Sequence, residues 1–208
     1  MIKPKNYQLK ATLVGVKPPI WWEFVVLADY SFFALHVALQ DALGWHDSHL
    51  HQFFTDNPFN RDSTYERIGF PTILEVEDML DERKERLSGW LRKPNDKVWY
   101  EYDLGDSWMH EIVLKEIHPP IPSYSSVKPP ILFGGKRACP PEDCGGIGGY
   151  ADVLEVLANP RHERHQDMLT WLDIETVREF DPEAFDVSEV EFHNPKQRIK
   201  EYEKGFRL

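Results

Sequence analysis

The sequence predicts an α+β fold, in which antiparallel β-hairpins pack with several short helices in a single compact domain over residues 1–208. Three observations predict it: two hairpin patterns, a helix pattern after the first of them, and no regular alternation of strands with helices. The length suits one domain, although two small domains would also fit. With 41% apolar and 13% aromatic residues, the chain can form a sizeable core.

The first hairpin is predicted near the start of the chain. Leu9, Ala11 and Leu13 alternate with polar residues, which predicts a strand over residues 7–16. A run rich in β-branched and aromatic residues predicts a second strand over 20–27. The prolines between the two runs favour an antiparallel pair joined by a loop longer than a tight two-residue turn.

A helix is predicted directly after this hairpin. Ser31 stands at the N-cap position, and Gly44 is placed to end the helix. Apolar residues recur between them at helical spacing, namely Phe32, Leu35, Leu39 and Leu43. This opening of two strands and a helix is the clearest part of the pattern.

The second hairpin is predicted from strands over residues 98–103 and 108–117, joined by a turn at 104–107 that contains glycine and aspartate. Residues 118–150 are rich in proline and glycine and are predicted to form an ordered loop. Weaker patterns predict the other elements, which are a strand over 50–55, an ambiguous segment over 73–80, one or two short helices within 78–91, two short helices over 151–158 and 163–172, and a charged final helix over 195–204.

The formal net charge of −11 bears on the partners that the chain can bind. Binding to nucleic acid usually needs a clustered basic surface, so an acidic chain disfavours it. The same charge disfavours an anionic membrane surface, and no apolar run approaches the ~20 residues of a membrane span. A protein partner or self-association is the expected kind of interaction.

The two cysteines, Cys139 and Cys144, are too few for the disulfide framework of a small secreted protein. The first residues lack the apolar segment of a signal peptide. We therefore expect a soluble protein of the cytoplasm, where reduced cysteines are favoured.

His49 and His51 are the first candidate site. Residues two apart on a strand point to the same side, so both imidazoles would share a face and could bind one divalent metal ion. The alternative is a pair of half-exposed histidines with no ligand role, since the spacing fixes no third ligand.

The second hairpin carries another candidate site. Asp103, Asp106 and His110 converge near its turn and could hold a metal ion or perform acid–base chemistry. The alternative is structural. Aspartate at a turn commonly accepts hydrogen bonds from its own backbone, and His110 shares a strand face with Trp108 and Ile112, as a core histidine would.

Cys139 and Cys144, separated by four residues, form a weaker alternative metal site. Both thiols could reach a zinc ion, with His162 and His165 available in the sequence to complete it. The glycines at 145–149 could instead present backbone N–H groups to an anion. A rigid loop that needs glycine for its backbone angles is the favoured interpretation.

Several segments carry distinctive combinations of residues. They are Pro19-Ile20-Trp21-Trp22, Leu35-His36, Gly44-Trp45, His49-Leu50-His51-Gln52-Phe53, Tyr102-Asp103-Leu104-Gly105-Asp106-Ser107-Trp108-Met109-His110, Cys139-Pro140-Pro141-Glu142-Asp143-Cys144-Gly145-Gly146, Gly149-Tyr150 and Phe180-Asp181-Pro182-Glu183-Ala184-Phe185-Asp186. Together these segments resemble the plasmid pRiA4b ORF-3-like family. The chain departs from it at Trp22-Glu23, where the family often has arginines, and at Leu104, where it often has phenylalanine.

The resemblance implies little about activity, because the family is essentially uncharacterised. Some of its members sit in mobile elements and carry a resolvase-like label. A serine recombinase needs a nucleophilic serine among arginines and a DNA-binding module. Ser107 has no arginine nearby in the sequence, so a DNA resolvase is the least favoured function.

Two other functions are favoured over a DNA resolvase. The favoured one is a binding or interaction module without turnover, linked to mobile elements, because the sequence lacks a phosphate loop, a His-Glu-x-x-His helix and a Gly-x-Ser-x-Gly turn. The alternative is a metal-dependent hydrolase in which both polar segments converge on one ion. Its proposed residues are His49, His51, Asp103, Asp106 and His110 around the ion, with Glu142 or Asp143 as base.

Overall fold

The computed structural model describes residues 5–74, 76–121 and 128–205, and its strands form one eight-stranded sheet. The strands are β1 (Asn6–Leu13), β2 (Trp21–Leu27), β3 (His51–Phe54), β4 (Arg67–Gly69), β5 (Leu80–Asp81), β6 (Lys97–Tyr102), β7 (Trp108–His118) and β8 (Ile131–Lys136). Their order across the sheet is β5-β4-β3-β6-β7-β1-β2-β8, and only β4 and β5 pair in parallel among these strands.

Helices accompany this sheet, which confirms the predicted α+β class. The α-helices are α1 (Phe32–Leu43), α2 (Pro71–Leu74), α3 (Leu87–Trp90), α4 (Gly146–Ala158), α5 (His165–Trp171) and α6 (Pro195–Gly205). Two short 3-10 helices lie at Val177–Glu179 and Val187–Glu189. No helix in these described ranges is long and apolar enough to cross a membrane.

The first hairpin forms as predicted, with β1 antiparallel to β2 and Leu9 opposite Phe24. On its other side β1 pairs with β7, where Ala11 lies opposite Ile112. The alternating residues Leu9, Ala11 and Leu13 are buried in the main hydrophobic core. The period of two along β1 therefore identified its buried face correctly.

Helix α1 begins and ends where the sequence predicts. The Ser31 hydroxyl accepts a hydrogen bond from the Ala34 N–H at 3.1 Å, and Gly44 ends the helix in the left-handed region with φ of 73°. Nearly every residue of α1 is buried, including the polar His36 and Gln40. Buried polar groups need partners, so this helix points to the functional site described below.

The second hairpin, β6 with β7, is also confirmed. Its strands pair from Lys97 opposite Val113 to Tyr102 opposite Trp108. The turn closes when the Ser107 N–H donates to the Asp103 carbonyl oxygen at 2.6 Å. This hairpin lies in the middle of the sheet and forms one wall of the core.

The loop predicted over residues 118–150 was wrong in part, whereas one short helix forms within 78–91 as predicted, after a strand that was not predicted. Residues 118–150 are not all loop: β8 pairs antiparallel with β2 at the sheet edge, and α4 begins already at Gly146 (residues 122–127 of this segment lie outside the described ranges). Within 78–91 the chain forms the short strand β5 before the single-turn helix α3. In both places tertiary pairing with an existing strand overrides a weak local pattern.

Candidate functional site

Side chains from distant parts of the chain meet in what we call the buried polar cluster, enclosed by the aromatic core. Its members are His36 and Gln40 of α1, Asp47 from the loop after α1, His51 of β3, Glu82 from the segment after β5, Tyr100 of β6 and Tyr202 of α6. These residues come from both hydrophobic and polar stretches of the sequence, and the fold brings them together.

The backbone explains why the cluster forms. His36 and Gln40 are four residues apart, so they lie on one face of α1. Tyr100 lies opposite Phe53, two residues from His51, so Tyr100 and His51 face the same side of the sheet. Helix α1 covers that side, which places its two polar side chains against the two strand residues.

A continuous hydrogen-bond network fixes His36. Its Nε2 lies 2.9 Å from Asp47 Oδ1, and its Nδ1 lies 2.8 Å from the Tyr100 hydroxyl. Gln40 Nε2 donates to the same hydroxyl oxygen at 2.8 Å, so the Tyr100 proton is available for His36 Nδ1. Neutral His36 then carries its proton on Nε2 and donates it to Asp47. The Tyr202 hydroxyl also donates to Asp47, at 2.5 Å.

His51 forms a second pair beside the first. Its Nε2 lies 2.8 Å from Glu82 Oε2. The imidazoles of His36 and His51 stack with ring centroids 3.4 Å apart and planes 4° apart. The core therefore holds two adjacent pairs of imidazole nitrogen and carboxylate oxygen, and a proton joins the two atoms of each pair.

Burial sets the protonation states on the His36 side. Desolvation, followed by the proximity of His51, lowers the pKa of His36, so it is neutral. Burial raises the pKa of Asp47, but His36 and the hydrogen bonds from His36 and Tyr202 outweigh it and leave the pKa below its usual value. Burial also raises the pKa of Tyr100 and of Tyr202, so both phenols stay protonated. An ionised carboxylate thus faces a neutral imidazole, which is the form that binds metal ions.

Acceptor oxygens remain unpartnered in the same place. Glu82 Oε1, Asp47 Oδ2 and Gln40 Oε1 are buried and have no hydrogen-bond partner in the part of the chain that the structure describes. Glu82 is 0% exposed, and the nearest guanidinium nitrogen of Arg198 lies 3.7 Å from Asp47 Oδ2, beyond hydrogen-bond length. A buried unpartnered acceptor costs about 1–3 kcal/mol, and more when charged. Arg198 already supplies a positive charge beside Asp47, whereas Glu82 Oε1 has no partner in the described part of the chain, and a cation bound there would provide one.

The geometry of three members suits a metal ion. One ligand atom each from His36, Asp47 and His51 lies within 4.8 Å of the other two. Bonds of ~2.0–2.2 Å to imidazole nitrogen and carboxylate oxygen would bring these atoms slightly closer together. The parallel imidazoles would have to tilt apart so that both lone pairs point at one ion.

The predicted ligand His49 lies elsewhere, in what we call the surface cluster. Its Nδ1 lies 3.7 Å from Asp103 Oδ2, and its Nε2 lies 2.9 Å from Asp143 Oδ1. These three residues are also spaced for a metal ion, but Asp143 is 66% exposed. Solvent already hydrates such a carboxylate, so its proximity to His49 is weaker support for a ligand. The two histidines thus belong to different groups, because His51 turns into the core towards Glu82.

Asp106 and Glu142 fasten a loop to the second hairpin. Asp106 Oδ2 accepts a hydrogen bond from the Gly145 N–H at 3.0 Å. Glu142 accepts from the Tyr102 hydroxyl at 2.6 Å and from the His46 N–H at 2.7 Å. Both carboxylates are therefore engaged in holding the segment from Cys139 to Gly145 in place, and Asp103 likewise accepts from backbone N–H groups of its own turn.

His110 is a buried residue of the aromatic core, 0% exposed. Its Nδ1 lies 3.1 Å from the Trp108 carbonyl oxygen, and burial lowers its pKa to about 4. Its ring contacts Trp22, Trp45 and Tyr100. The five residues of the hydrolase hypothesis are thus divided between the buried cluster, the surface cluster, a loop anchor and the core.

Cys139 and Cys144 are free thiols. Burial raises the pKa of Cys139 well above its usual value and that of Cys144 to about 12, so both are protonated at neutral pH. No group with metal-ligand spacing among residues 5–74, 76–121 and 128–205 contains either cysteine. His165, a suggested zinc partner, instead contacts the Val156 carbonyl oxygen at 3.1 Å.

The sequence analysis proposed His51 as a site residue and missed the other six members of the buried cluster: His36, Gln40, Asp47, Glu82, Tyr100 and Tyr202. One signal was available for His36, because His36 and Gln40 are a polar pair at helical spacing within an otherwise apolar helix. Asp47, Glu82 and Tyr202 follow no local pattern, since only the tertiary fold brings them near α1.

Comparison with known proteins places the chain in a family. A family model described as plasmid pRiA4b ORF-3-like protein matches residues 5–189. The uncharacterized protein y4hQ of Sinorhizobium fredii (strain NBRC 101917 / NGR234) is 34% identical over 165 residues, 79% of each chain. The crystal structure of MM3350, a protein of unknown function from Methanosarcina mazei Go1, superposes with a TM-score of 0.77 at 37% identity, covering 91% of this chain and 99% of that one. This chain belongs to the plasmid pRiA4b ORF-3-like family.

Proposed function

We propose that this protein is a metal-binding module whose centre is the buried polar cluster. His36, Asp47 and His51 would bind one divalent ion, and Glu82 would be the fourth ligand. The observation that carries the proposal is the coincidence of three ligand atoms within 4.8 Å and buried carboxylate oxygens on Asp47 and Glu82 that accept no hydrogen bond from the described residues. An ion would occupy the imidazole lone pairs, so each proton that now joins an imidazole to its carboxylate would move to the other nitrogen of that ring.

The donor atoms indicate the class of metal. Two imidazole nitrogens with carboxylate oxygens suit Zn²⁺, Fe²⁺ or Mn²⁺, whereas Ca²⁺ and Mg²⁺ prefer oxygen ligands alone. Tyr100 and Gln40 would orient His36, because its Nδ1 already faces the Tyr100 hydroxyl. A ligating histidine usually donates its second N–H to such a partner, so with metal bound the Tyr100 oxygen would accept a hydrogen bond from His36 Nδ1.

The burial of the polar cluster favours metal binding over catalytic turnover of a substrate. His36 and Glu82 are 0% exposed, and Tyr202 of α6 covers Asp47 with its hydroxyl. A hydrolase must bring substrate to the ion, which the present position of α6 opposes. The proposal therefore shares the absence of turnover with the predicted binding module and the metal ion with the predicted hydrolase. The link to mobile elements stays a prediction, and the Ser107 hydroxyl, which donates to Glu101, lends no support to a resolvase.

Metal analysis of matched variants tests the proposal. The protein is purified without a histidine tag, incubated with Zn²⁺ or Mn²⁺, desalted and analysed by elemental mass spectrometry. We expect about one ion per chain, and we expect His36→Gln and Glu82→Gln to lower the affinity at least tenfold while His49→Gln retains it. A wild-type protein that never retains metal, or a loss confined to His49→Gln, would refute the proposal.

A further inference from the structure

A second feature, separate from the buried polar cluster, is a cavity of about 550 Å³. It lies beside β2, the end of α1 and the segment that follows β8. Its wall includes Trp22, Arg137, Cys139, Phe185 and Val190. This volume falls within the range of ~300–1,000 Å³ that is typical of small-molecule sites.

Arg137 is the unusual residue of this wall, because its charged side chain is only 4% exposed. Its Nε donates to Glu183 at 2.7 Å, and its Nη1 donates to the Pro18 carbonyl oxygen at 2.8 Å. Its Nη2 donates no hydrogen bond to any residue that the structure describes. The guanidinium is thus fixed in orientation, and one nitrogen remains for a further acceptor.

Acidic residues also line the cavity. The hydrogen bonds that they already accept therefore decide whether a ligand would meet a negative or a positive charge. Asp41 accepts hydrogen bonds from both the backbone N–H and the ring of His193, each at 2.8 Å. Asp186 accepts from the Ser188 N–H and hydroxyl. Glu189 is an exposed residue of the lining. Arg137 and Asp41 are therefore the two buried charges of the lining, each with a side chain that is 4% exposed. His193 occupies both carboxylate oxygens of Asp41, whereas Nη2 of Arg137 has no acceptor in the described part of the chain.

Cys139 does not add a nucleophile to the cavity. Burial, followed by the charge of Glu142, raises the pKa of Cys139 well above its usual value. A protonated thiol is a poor nucleophile, so reversible binding is the chemistry that this wall supports.

We propose that the cavity binds a small organic carboxylate. The carboxylate would accept from Arg137, and the apolar body of the ligand would lie against Trp22, Phe185 and Val190. Arginine in a fixed orientation suits this role because a charge-assisted hydrogen bond from its remaining nitrogen to a carboxylate is stronger than one between neutral groups. The proposal is independent of the metal centre, since it involves no member of the buried polar cluster.

The test compares three carboxylates, acetate, benzoate and indole-3-acetate, each with its neutral amide. Binding is followed on the full chain by NMR, through the indole N–H signal of Trp22, which a Trp22→Phe variant assigns. We expect at least one carboxylate to bind at least tenfold more tightly than its amide and to shift this signal. If none of the three carboxylates binds more tightly than its amide, the proposal is overturned.

Two variants sharpen the result. Arg137→Gln should reduce binding of the best carboxylate at least tenfold, whereas Arg92→Gln, which removes an exposed guanidinium outside the cavity lining, should retain it. Unchanged binding by Arg137→Gln would overturn the proposal. If Arg137→Gln does not fold, the comparison of carboxylates with amides in the wild-type protein decides between the two outcomes.

Discussion

At the scale of single residues, the environment gives the same side chain different roles. His36 is buried and neutral, with a partner at each nitrogen. His49 is partly exposed beside two carboxylates. His110 is buried among aromatic rings. The sequence pattern grouped His49 with His51 by spacing alone, and burial separates them.

Because His110 titrates differently in the folded and unfolded chain, it should make stability depend on pH. Its pKa falls from 6.5 to about 4 on folding, chiefly through desolvation. Between these values the unfolded chain takes up the proton and the folded protein does not, so stability falls as the pH falls. The loss amounts to about 3 kcal/mol across this range.

Urea denaturation of wild type and His110→Gln at several pH values between about 4 and 7 measures this contribution. Other groups titrate in the same range, so the difference between the two proteins is the relevant quantity. We expect the stability of the variant to fall less steeply than that of wild type as the pH is lowered. If the free energies of unfolding of wild type and His110→Gln change in parallel with pH, His110 does not resist protonation in the folded state.

At the scale of elements, the hairpins and α1 were predictable because their signals are local. Alternating residues mark β1, and Ser31 and Gly44 mark the two ends of α1. Strand β8 was not predictable, because its apolar run is short, glycine-rich and flanked by prolines. Its identity depends on β2, with which it pairs at the sheet edge. Local patterns therefore identify elements that need no distant partner.

The start of α4 yields a matched pair of glycine variants. A Cβ at Gly149 would lie 1.7 Å from the Cys144 carbonyl oxygen, so Gly149→Ala should lower the free energy of unfolding by about 1–3 kcal/mol. A Cβ at Gly148 meets nothing within 4 Å, so Gly148→Ala should raise it by ~0.5–1 kcal/mol. Chemical denaturation measures both, and equal effects would contradict the close approach at Gly149.

Helix α6 covers the buried polar cluster through Tyr202. The family match ends at residue 189, so α6 lies beyond it. If the phenol seals the centre, Tyr202→Phe should release bound metal to a chelator several-fold faster than wild type. Tyr65→Phe, which changes a tyrosine packed against Phe54, is the control. Equal release rates for wild type and Tyr202→Phe would show that the hydroxyl does not retain the ion.

At the scale of the whole molecule, the sequence predicted the α+β class and some site chemistry but not the location of the buried cluster. It indicated that His51 could bind a metal. It could not indicate Glu82 or Tyr202, because His36 and Tyr202 lie 166 residues apart and meet only when α6 packs on α1. Hydrophobic pattern and caps are local properties, whereas a polar cluster inside the core is a property of the complete fold.

A metal ion in this cluster would join distant parts of the chain. It would connect α1, the loop at Asp47, β3 and the segment at Glu82. Since the ion would bind the folded state and not the unfolded chain, saturating Zn²⁺ or Mn²⁺ should raise the melting temperature by several degrees. Calorimetry with and without a chelator measures this, and Glu82→Gln should lose most of the increase. A wild-type melting temperature that does not change when the metal is added would count against a buried metal centre.

Anomalous diffraction from crystals grown with Zn²⁺ or Mn²⁺ tests the central claim most directly, because it locates the ion. The account predicts one strong peak within bonding distance of His36, Asp47 and His51, with Glu82 beside it. A peak confined to the surface cluster of His49, Asp103 and Asp143, or no peak in metal-saturated crystals, would contradict it.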